Sequence, residues 1–271
     1  TGGYVTGTVL KTAIKCGIKT ALHESNSLPG VSVKMLASKA DLVMLGTEDA
    51  KKHLGECKKC VVTGNPLRNN IPIEEKSAAR KRLGLPDCLT ILSAGGSQGA
   101  SRLNEAVVQL LAYEQKKGNI NHIHGYGKHG RDTFMQSLAD NGVDAGNPHF
   151  IIKEYIDNMY TCMCASDLII TRAGAMTLTE ITAIGRASVL IPYPYAAENH
   201  QYYNALTLQN ANAGRIIDDK ELTGSVLIDT VNRLADDPEL LRLMSENAAK
   251  LSKRDAAGII LREITELMGI K

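Results

Sequence analysis

Short apolar runs alternate along the chain with segments of helical spacing. "KTALHE" (19–24), "DLVMLG" (41–46) and "CVVTG" (60–64) read as strands, and "GVSVKMLASKA" (30–40) and "EDAKKHL" (48–54) as the helices between them. After a polar break the rhythm resumes. Strands are expected at "TILSAG" (90–95), "INHIHGYG" (120–127), "HFIIKEY" (149–155), "DLIITRAG" (167–174), "ASVLIP" (187–192) and "GRIIDD" (214–219), with helix-like segments between. The tail from 238 to 271 is helical by periodicity. This alternation predicts an α/β protein with parallel, doubly wound sheets.

The break at 64–72 holds Gly64, Pro66, Pro72 and adjacent asparagines, the composition of an interdomain connection. It divides the chain into a short first domain (1–68) and a longer second one (69–254), with the last helix (255–271) expected to pack back on the first. "GGYVTG" (2–7) reads as a strand-to-helix loop with no strand before it, and three strands make a thin domain. The expectation is a chain lacking its natural start.

Composition narrows the class. Of 271 residues, 44% are hydrophobic and 22% charged, which suits a folded chain with real cores. The longest apolar run, "ASVLIPYPYAA", holds two prolines and falls short of the ~18 residues that span a bilayer. No signal peptide is expected. Net charge is +2, but residues 1–68 carry ten Lys/Arg and five Asp/Glu, so the first part is +5 and the remainder −3. Such a face is either simply solvated or drawn to an anionic membrane surface or substrate. With 4% aromatic residues and no Lys/Arg block, nucleic acid is not an expected partner. The cysteines are Cys16, Cys57, Cys60, Cys88, Cys162 and Cys164. The spacings C-x-x-C and C-x-C, far apart, do not make a zinc signature, and reduced thiols in a cytoplasmic protein are expected.

Candidate chemistry gathers at the carboxyl ends of the predicted strands, where doubly wound folds bind ligands. "GGSQGAS" follows "TILSA": Gly95, Gly96 and Gly99 let backbone approach a phosphate, Ser97 offers a hydroxyl, and a helix amino end follows. It is neither G-x-G-x-x-G nor a P-loop, since no Lys is present. Tight helix–strand packing is the bland alternative. "RAGAMTLTE" (172–180) opens a second helix and sets Glu180 where a carboxylate can accept from a ribose diol; a surface helix glutamate is the alternative. In "YPYAAENHQYYNA" (193–205), Gln201 and Asn204 share a helix face and suit sugar hydroxyls. His23, Glu24 and Asn26 cluster in "LHESNSLPG", and Arg68 stands in "GNPLR", placed to meet a pyrophosphate across a cleft. No motif suggests a bound metal.

"GGYVTG", "HESNSLPG", "GNPLR", "GGSQGAS", "EYIDNM", "ASDLIITRAGAMTLTE" and "HQYYNA", in this order, resemble the MurG family, and the resemblance covers essentially the whole chain. It implies a GT-B architecture of two Rossmann-like domains facing a cleft. It also implies inverting, metal-independent and cofactor-free transfer of N-acetylglucosamine from UDP-N-acetylglucosamine to undecaprenyl-pyrophosphoryl-N-acetylmuramyl-pentapeptide, at the cytoplasmic face of the cell membrane, in peptidoglycan synthesis, cell shape and division. By motif match, Ser97 and Arg68 meet the donor phosphates and Ile156 holds the uracil through its backbone. Ala175, Met176 and Thr177 line the sugar–phosphate turn, and Glu180 takes the ribose. Gln201 and Asn204 read the sugar, Asn26 lies on the facing wall, and Gly2, Gly3, Tyr4 and Gly7 form an acceptor-side loop. The family usually reads "HEQN"; here Ser25 replaces the Gln. The family's first glycine-rich loop, with its histidine, would lie upstream along with roughly three βα units of ~30 residues each. That leaves His23 and Glu24 as the candidates for a base, and donor binding with little or no transfer as the expectation. The rivals are a UDP-N-acetylglucosamine 2-epimerase and a non-catalytic UDP-sugar-binding module that needs a partner chain.

Overall fold

The computed structural model describes residues 3–68, 71 and 73–270. Its elements run α1 (Gly3–Lys15), β1 (Ala21–Glu24), α2 (Val31–Leu36), β2 (Leu42–Leu45), α3 (Glu48–Lys51) and β3 (Cys60–Val62). Beyond the connection come α4 (Lys76–Leu83), β4 (Leu89–Ala94), α5 (Ser101–Lys117), β5 (Ile120–Gly125), α6 (Phe134–Asp140) and β6 (Phe150–Lys153). They continue with α7 (Met159–Ala165), β7 (Leu168–Thr171), α8 (Ala175–Ile184), β8 (Ala187–Leu190), α9 (His200–Asn210) and β9 (Gly214–Ile216). The chain closes with α10 (Gly224–Ala235), α11 (Pro238–Lys250) and α12 (Ala256–Met268). Every predicted strand is present. They form a three-stranded sheet, β1-β2-β3, and a six-stranded sheet, β6-β5-β4-β7-β8-β9, and among the described residues the neighbouring strands pair in parallel.

The six-stranded sheet is covered on both faces, and the pleat sorts its residues. Ile91, Ile170 and Val189 join Leu103, Val107, Leu110 and Leu111 of α5 and Leu227 and Val231 of α10 in one core. Their neighbours Leu92, Ile169 and Leu190 face Met163 of α7, Leu178 and Ile181 of α8, and Leu208 of α9 in another. The smaller sheet packs Leu22, Val43 and Leu45 against Leu36, Ala37 and Ala40. Thr223 and Asp237 cap α10 and α11 by accepting from Val226 N and Leu240 N, and Pro238 occupies the first turn of α11.

Three details differ from the sequence expectation. The stretch 2–7 is not a loop from Gly3 onward: α1 already begins there, and Gly7 is a packing residue whose added Cβ would lie 3.4 Å from Ser32 Oγ near α2. Helix α2 stops at Leu36 because Asp41 N must pair with Thr20 O to start β2, so 37–40 turn instead of continuing. Helix α3 is only Glu48–Lys51. Gly2, Asn69, Asn70 and Pro72 lie outside the described residues. Cys57 and Cys60 stand at β3, whereas Cys162 and Cys164 are buried in α7, so the pairs are not brought together.

The chain passes between the sheets twice, and the crossings touch. Gly64 has φ +81°, and a Cβ there would lie 2.4 Å from Lys253 Cβ and 3.3 Å from Ala256 Cβ. Beyond the second crossing α12 lies against β2, and Lys59 Nζ pairs with Glu263 at 2.7 Å and Glu266 at 3.0 Å. Inside the larger sheet sits a polar chain. Glu114 Oε2 and His122 Nδ1 are 2.7 Å apart, His122 Nε2 and Ser93 Oγ 2.6 Å, and Ser93 Oγ and His124 Nδ1 2.7 Å. Ser93 and both histidines are fully buried, and His124 stacks on Phe134 at 4.7 Å between ring centroids.

Candidate functional site

Strands β4 and β7 are neighbours, yet the chain leaves β4 toward β5 and β6 and leaves β7 toward β8 and β9. The crevice beyond their carboxyl ends is thus the topological switch point, where open α/β sheets bind ligands. The glycine-rich loop lies on one side of it. Gly96 and Gly99 take φ +87° and +85°, closing a turn in which Gly99 N donates to Gly96 O at 2.9 Å. Gly99 also passes so close to the next loop that a Cβ would sit 2.3 Å from Tyr126 O. Helix α5 then begins without a side-chain cap, and α8, on the other side, begins after Gly174, also uncapped. Both amino ends keep unsatisfied N–H groups and partial positive charge for an anion.

A cavity of about 330 Å³ opens at this point, lined by Arg68, Gly96, Ser97, Ile156, Tyr160 and Glu180 among others. Residues drawn from the connection and from loops or helices after β4, β6 and β7 thus converge. Ile156 is buried and packs on Gly125, where a Cβ would meet its Cδ1 at 3.2 Å. Glu180 Oε1 accepts a hydrogen bond of 2.9 Å from Tyr160 Oη. Burial, and that bond to the carboxylate, push the Tyr160 hydroxyl above its ordinary pKa. Tyr160 was not among the residues singled out from sequence. Its nearness to Ile156, in "IDNMY" at the amino end of α7, was the available signal.

The other residues singled out from the sequence are not among those lining this cavity. Ala175 and Asn204 line a cavity of about 440 Å³ between the two sheets. Gly7, Glu24, Asn26 and His200 line a larger one, about 850 Å³, beside α1 and α2. Met176 is exposed, with Thr177 next to it in the first turn of α8. Asn204 is only 3% exposed and bridges the sheets. Its Oδ1 accepts from Ser27 N at 2.8 Å, and its Nδ2 donates to Asn26 Oδ1 and Ala173 O, both at 3.1 Å. Thr207 Oγ1, one turn on, donates to Asp49 Oδ2 at 2.8 Å and lies 2.9 Å from Ser27 Oγ. Gln201 Oε1 accepts from Ala173 N at 3.2 Å and Tyr193 N at 2.9 Å, tying together the loops after β7 and β8. Sugar recognition by Asn204 therefore requires some of its protein bonds to be exchanged.

His23 and Glu24 are engaged in building the fold. Glu24 Oε1 accepts from Asn26 N and Nδ2, and Oε2 from Gly30 N, so the carboxylate holds the 24–30 loop. His23 Nε2 lies 3.0 Å from Gly64 O, and burial lowers its pKa. Arg172, before the "AGAM" turn, pairs with Asp219 at 2.6 Å and stands over the Tyr193 ring.

Residues 90–259 match the glycosyltransferase family 28 C-terminal domain. The chain is 37% identical over 270 residues to a protein of Desulforamulus reducens named UDP-N-acetylglucosamine--N-acetylmuramyl-(pentapeptide) pyrophosphoryl-undecaprenol N-acetylglucosamine transferase; the match covers 99% of this chain and 73% of that protein. It is 40% identical over 263 residues to the protein of the same name from Desulfitobacterium hafniense, covering 97% of this chain and 71% of the relative. Among solved structures, the crystal structure of Acinetobacter baumannii MurG superposes with a TM-score of 0.79 at 28% identity, over 98% of this chain and 72% of that one. A UDP-GlcNAc 2-epimerase from Neisseria meningitidis bound to UDP-GlcNAc shares only the fold, at a TM-score of 0.65 and 15% identity over 96% of this chain and 73% of that one. A GT-B architecture, a family-28 domain spanning the larger sheet and relatives that match almost the whole of this chain lead to one conclusion: this chain belongs to the MurG transferases of glycosyltransferase family 28.

Proposed function

We propose that the chain binds UDP-N-acetylglucosamine at the switch-point crevice and transfers its sugar, with inversion, to the 4-hydroxyl of undecaprenyl-pyrophosphoryl-N-acetylmuramyl-pentapeptide. The observation that carries this reading is the convergence of Arg68, Gly96, Ser97, Ile156 and Glu180 on one cavity flanked by two uncapped helix amino ends. Residues 69–254 form the donor-binding part. Residues 1–68, with 255–271 returning onto them, form the acceptor and membrane side.

In this reading the acceptor hydroxyl attacks the anomeric carbon from the face opposite UDP. The transition state is oxocarbenium-like, and charge builds on the departing pyrophosphate. The N–H groups of the 95–99 loop, the amino ends of α5 and α8, and the Arg68 guanidinium stabilise that charge. Glu180 accepts from the ribose diol, the backbone at Ile156 holds the uracil, and Ala175, Met176 and Thr177 form the sugar–phosphate turn. Gln201 and Asn204 contact the sugar, with Asn26 facing them. His23 and Glu24 are given no proton-transfer role, because their polar atoms hold the loop and the crossing. The lipid-linked acceptor places the enzyme on the cytoplasmic face of an anionic membrane, in cell-wall synthesis. Val5 and Val9 on α1, exposed beside Lys11 and Lys15, support a membrane-facing role for the first part.

Calorimetric titration with UDP-N-acetylglucosamine and UDP-glucose, without added metal, tests the donor site. Selective binding of the first is expected. A folded chain that binds neither refutes the reading.

A further inference from the structure

Glu180 is held by a hydroxyl from a neighbouring helix. Tyr160 stands on α7, Glu180 on α8, and the two helices pack side by side. The tyrosine hydroxyl donates to Glu180 Oε1 at 2.9 Å, and both residues line the same 330 Å³ cavity as Arg68 and Ser97. The ring of Tyr160 packs at the edge of the core that holds Met163, Leu178 and Ile181, which fixes where the hydroxyl can sit.

A glutamate on a helix has several rotatable bonds and reaches many positions. A carboxylate that must accept from two adjacent ribose hydroxyls needs its plane fixed. A donor on Oε1 restricts that freedom and leaves Oε2 without a bond to the protein among the described residues, while Glu180 lines the cavity. Tyr160 has no other polar side-chain group to contribute, and the Glu180 carboxylate makes no other hydrogen bond among the described residues. We infer that Tyr160 is a positioning residue for the donor's ribose: it orients Glu180 so that the site distinguishes a ribonucleotide from a deoxyribonucleotide. The inference rests on the proposed reading of Glu180 as the ribose acceptor. Tyr160 acts through Glu180 and touches no reacting atom.

The test is Tyr160→Phe, which keeps the ring and its packing and removes only the hydroxyl. UDP and 2′-deoxy-UDP are titrated calorimetrically into the unaltered chain, Tyr160→Phe and Glu180→Gln. The unaltered chain is expected to prefer UDP over the deoxy analogue by about tenfold, the worth of one hydrogen bond to a charged group. In Tyr160→Phe the affinity for UDP falls about three- to tenfold, that for 2′-deoxy-UDP changes less, and the preference narrows. Equal weakening toward both ligands, or no change toward either, overturns the inference: Tyr160 is then merely structural or idle. If the unaltered chain binds both ligands equally and Glu180→Gln changes nothing, the ribose reading of Glu180 fails and takes the inference with it. A loss in Glu180→Gln with an unchanged Tyr160→Phe fails the inference alone.

Discussion

Acid should destabilise this protein through His124, and a single substitution isolates the effect. The imidazole is fully buried between Ser93 and Phe134, with Glu114 and His122 beyond them, and its Nε2 has no hydrogen-bond partner among the described residues. Burial, and the neighbouring His122, drive its pKa well below the ordinary 6.5. The neutral form is favoured in the fold, so the unfolded chain takes up the proton first. The associated stability is fully present above pH 6.5 and is lost as pH falls below it, until the folded-state imidazole itself titrates. The slope approaches about 1.4 kcal/mol per pH unit, or about 2 kcal/mol between pH 7 and pH 5. Glu114 opposes it, since burial raises its carboxyl pKa, while His23 adds to it. Both are carried equally by a variant that alters only His124. Urea unfolding at pH 7, 6 and 5 of the unaltered chain and of His124→Phe is therefore the assay. The phenyl ring keeps the stack on Phe134 and leaves Ser93 bonded to His122. The difference between the two chains should shift in favour of the variant by about 2 kcal/mol across that range. Parallel pH dependences would refute the reasoning.

Other outcomes follow from the same geometry. Glu180→Ala should weaken UDP binding by about 10- to 100-fold, as expected for bonds to a charged group, measured calorimetrically; unchanged binding would remove Glu180 from the site. Asn204→Ala leaves Ser27 N and Asn26 Oδ1 without their cross-sheet partner and should cost about 1–3 kcal/mol in urea denaturation, and an unchanged midpoint would deny the bridge. Gly99→Ala places a Cβ against Tyr126 O at a positive φ, so it should lower the melting temperature and weaken UDP binding together; a variant that binds normally would show the loop free to relax.

The strands are legible in the sequence because most are short β-branched or aliphatic runs closed by Gly, Pro or a charge, and the tertiary structure respects all of them. The glycine loop was legible for the same local reason. Asn204 was read as a sugar contact from its helix face, but its present partners, Ser27 and Asn26, are remote in sequence, and no local pattern announces them. "INHIHGYG" signalled a strand and hid the polar chain through Ser93, His122 and His124, because that chain depends on the register pairing Ser93 with His124. The start of α1 is not legible, because Gly3 and Gly7 signal a loop by type while both stand within the helix.

The contact between Gly64 and Lys253 has a mechanical meaning. A body tied to another by one thread can swivel in every direction. Two threads pinned side by side act as the knuckles of a door and leave one easy rotation, about the line that joins them. Any opening of the cleft would then be confined to one arc, along which the residues on its two rims keep their register. Lengthening either thread by even one residue would let the door sag, spoiling that register while leaving every residue of both rims intact.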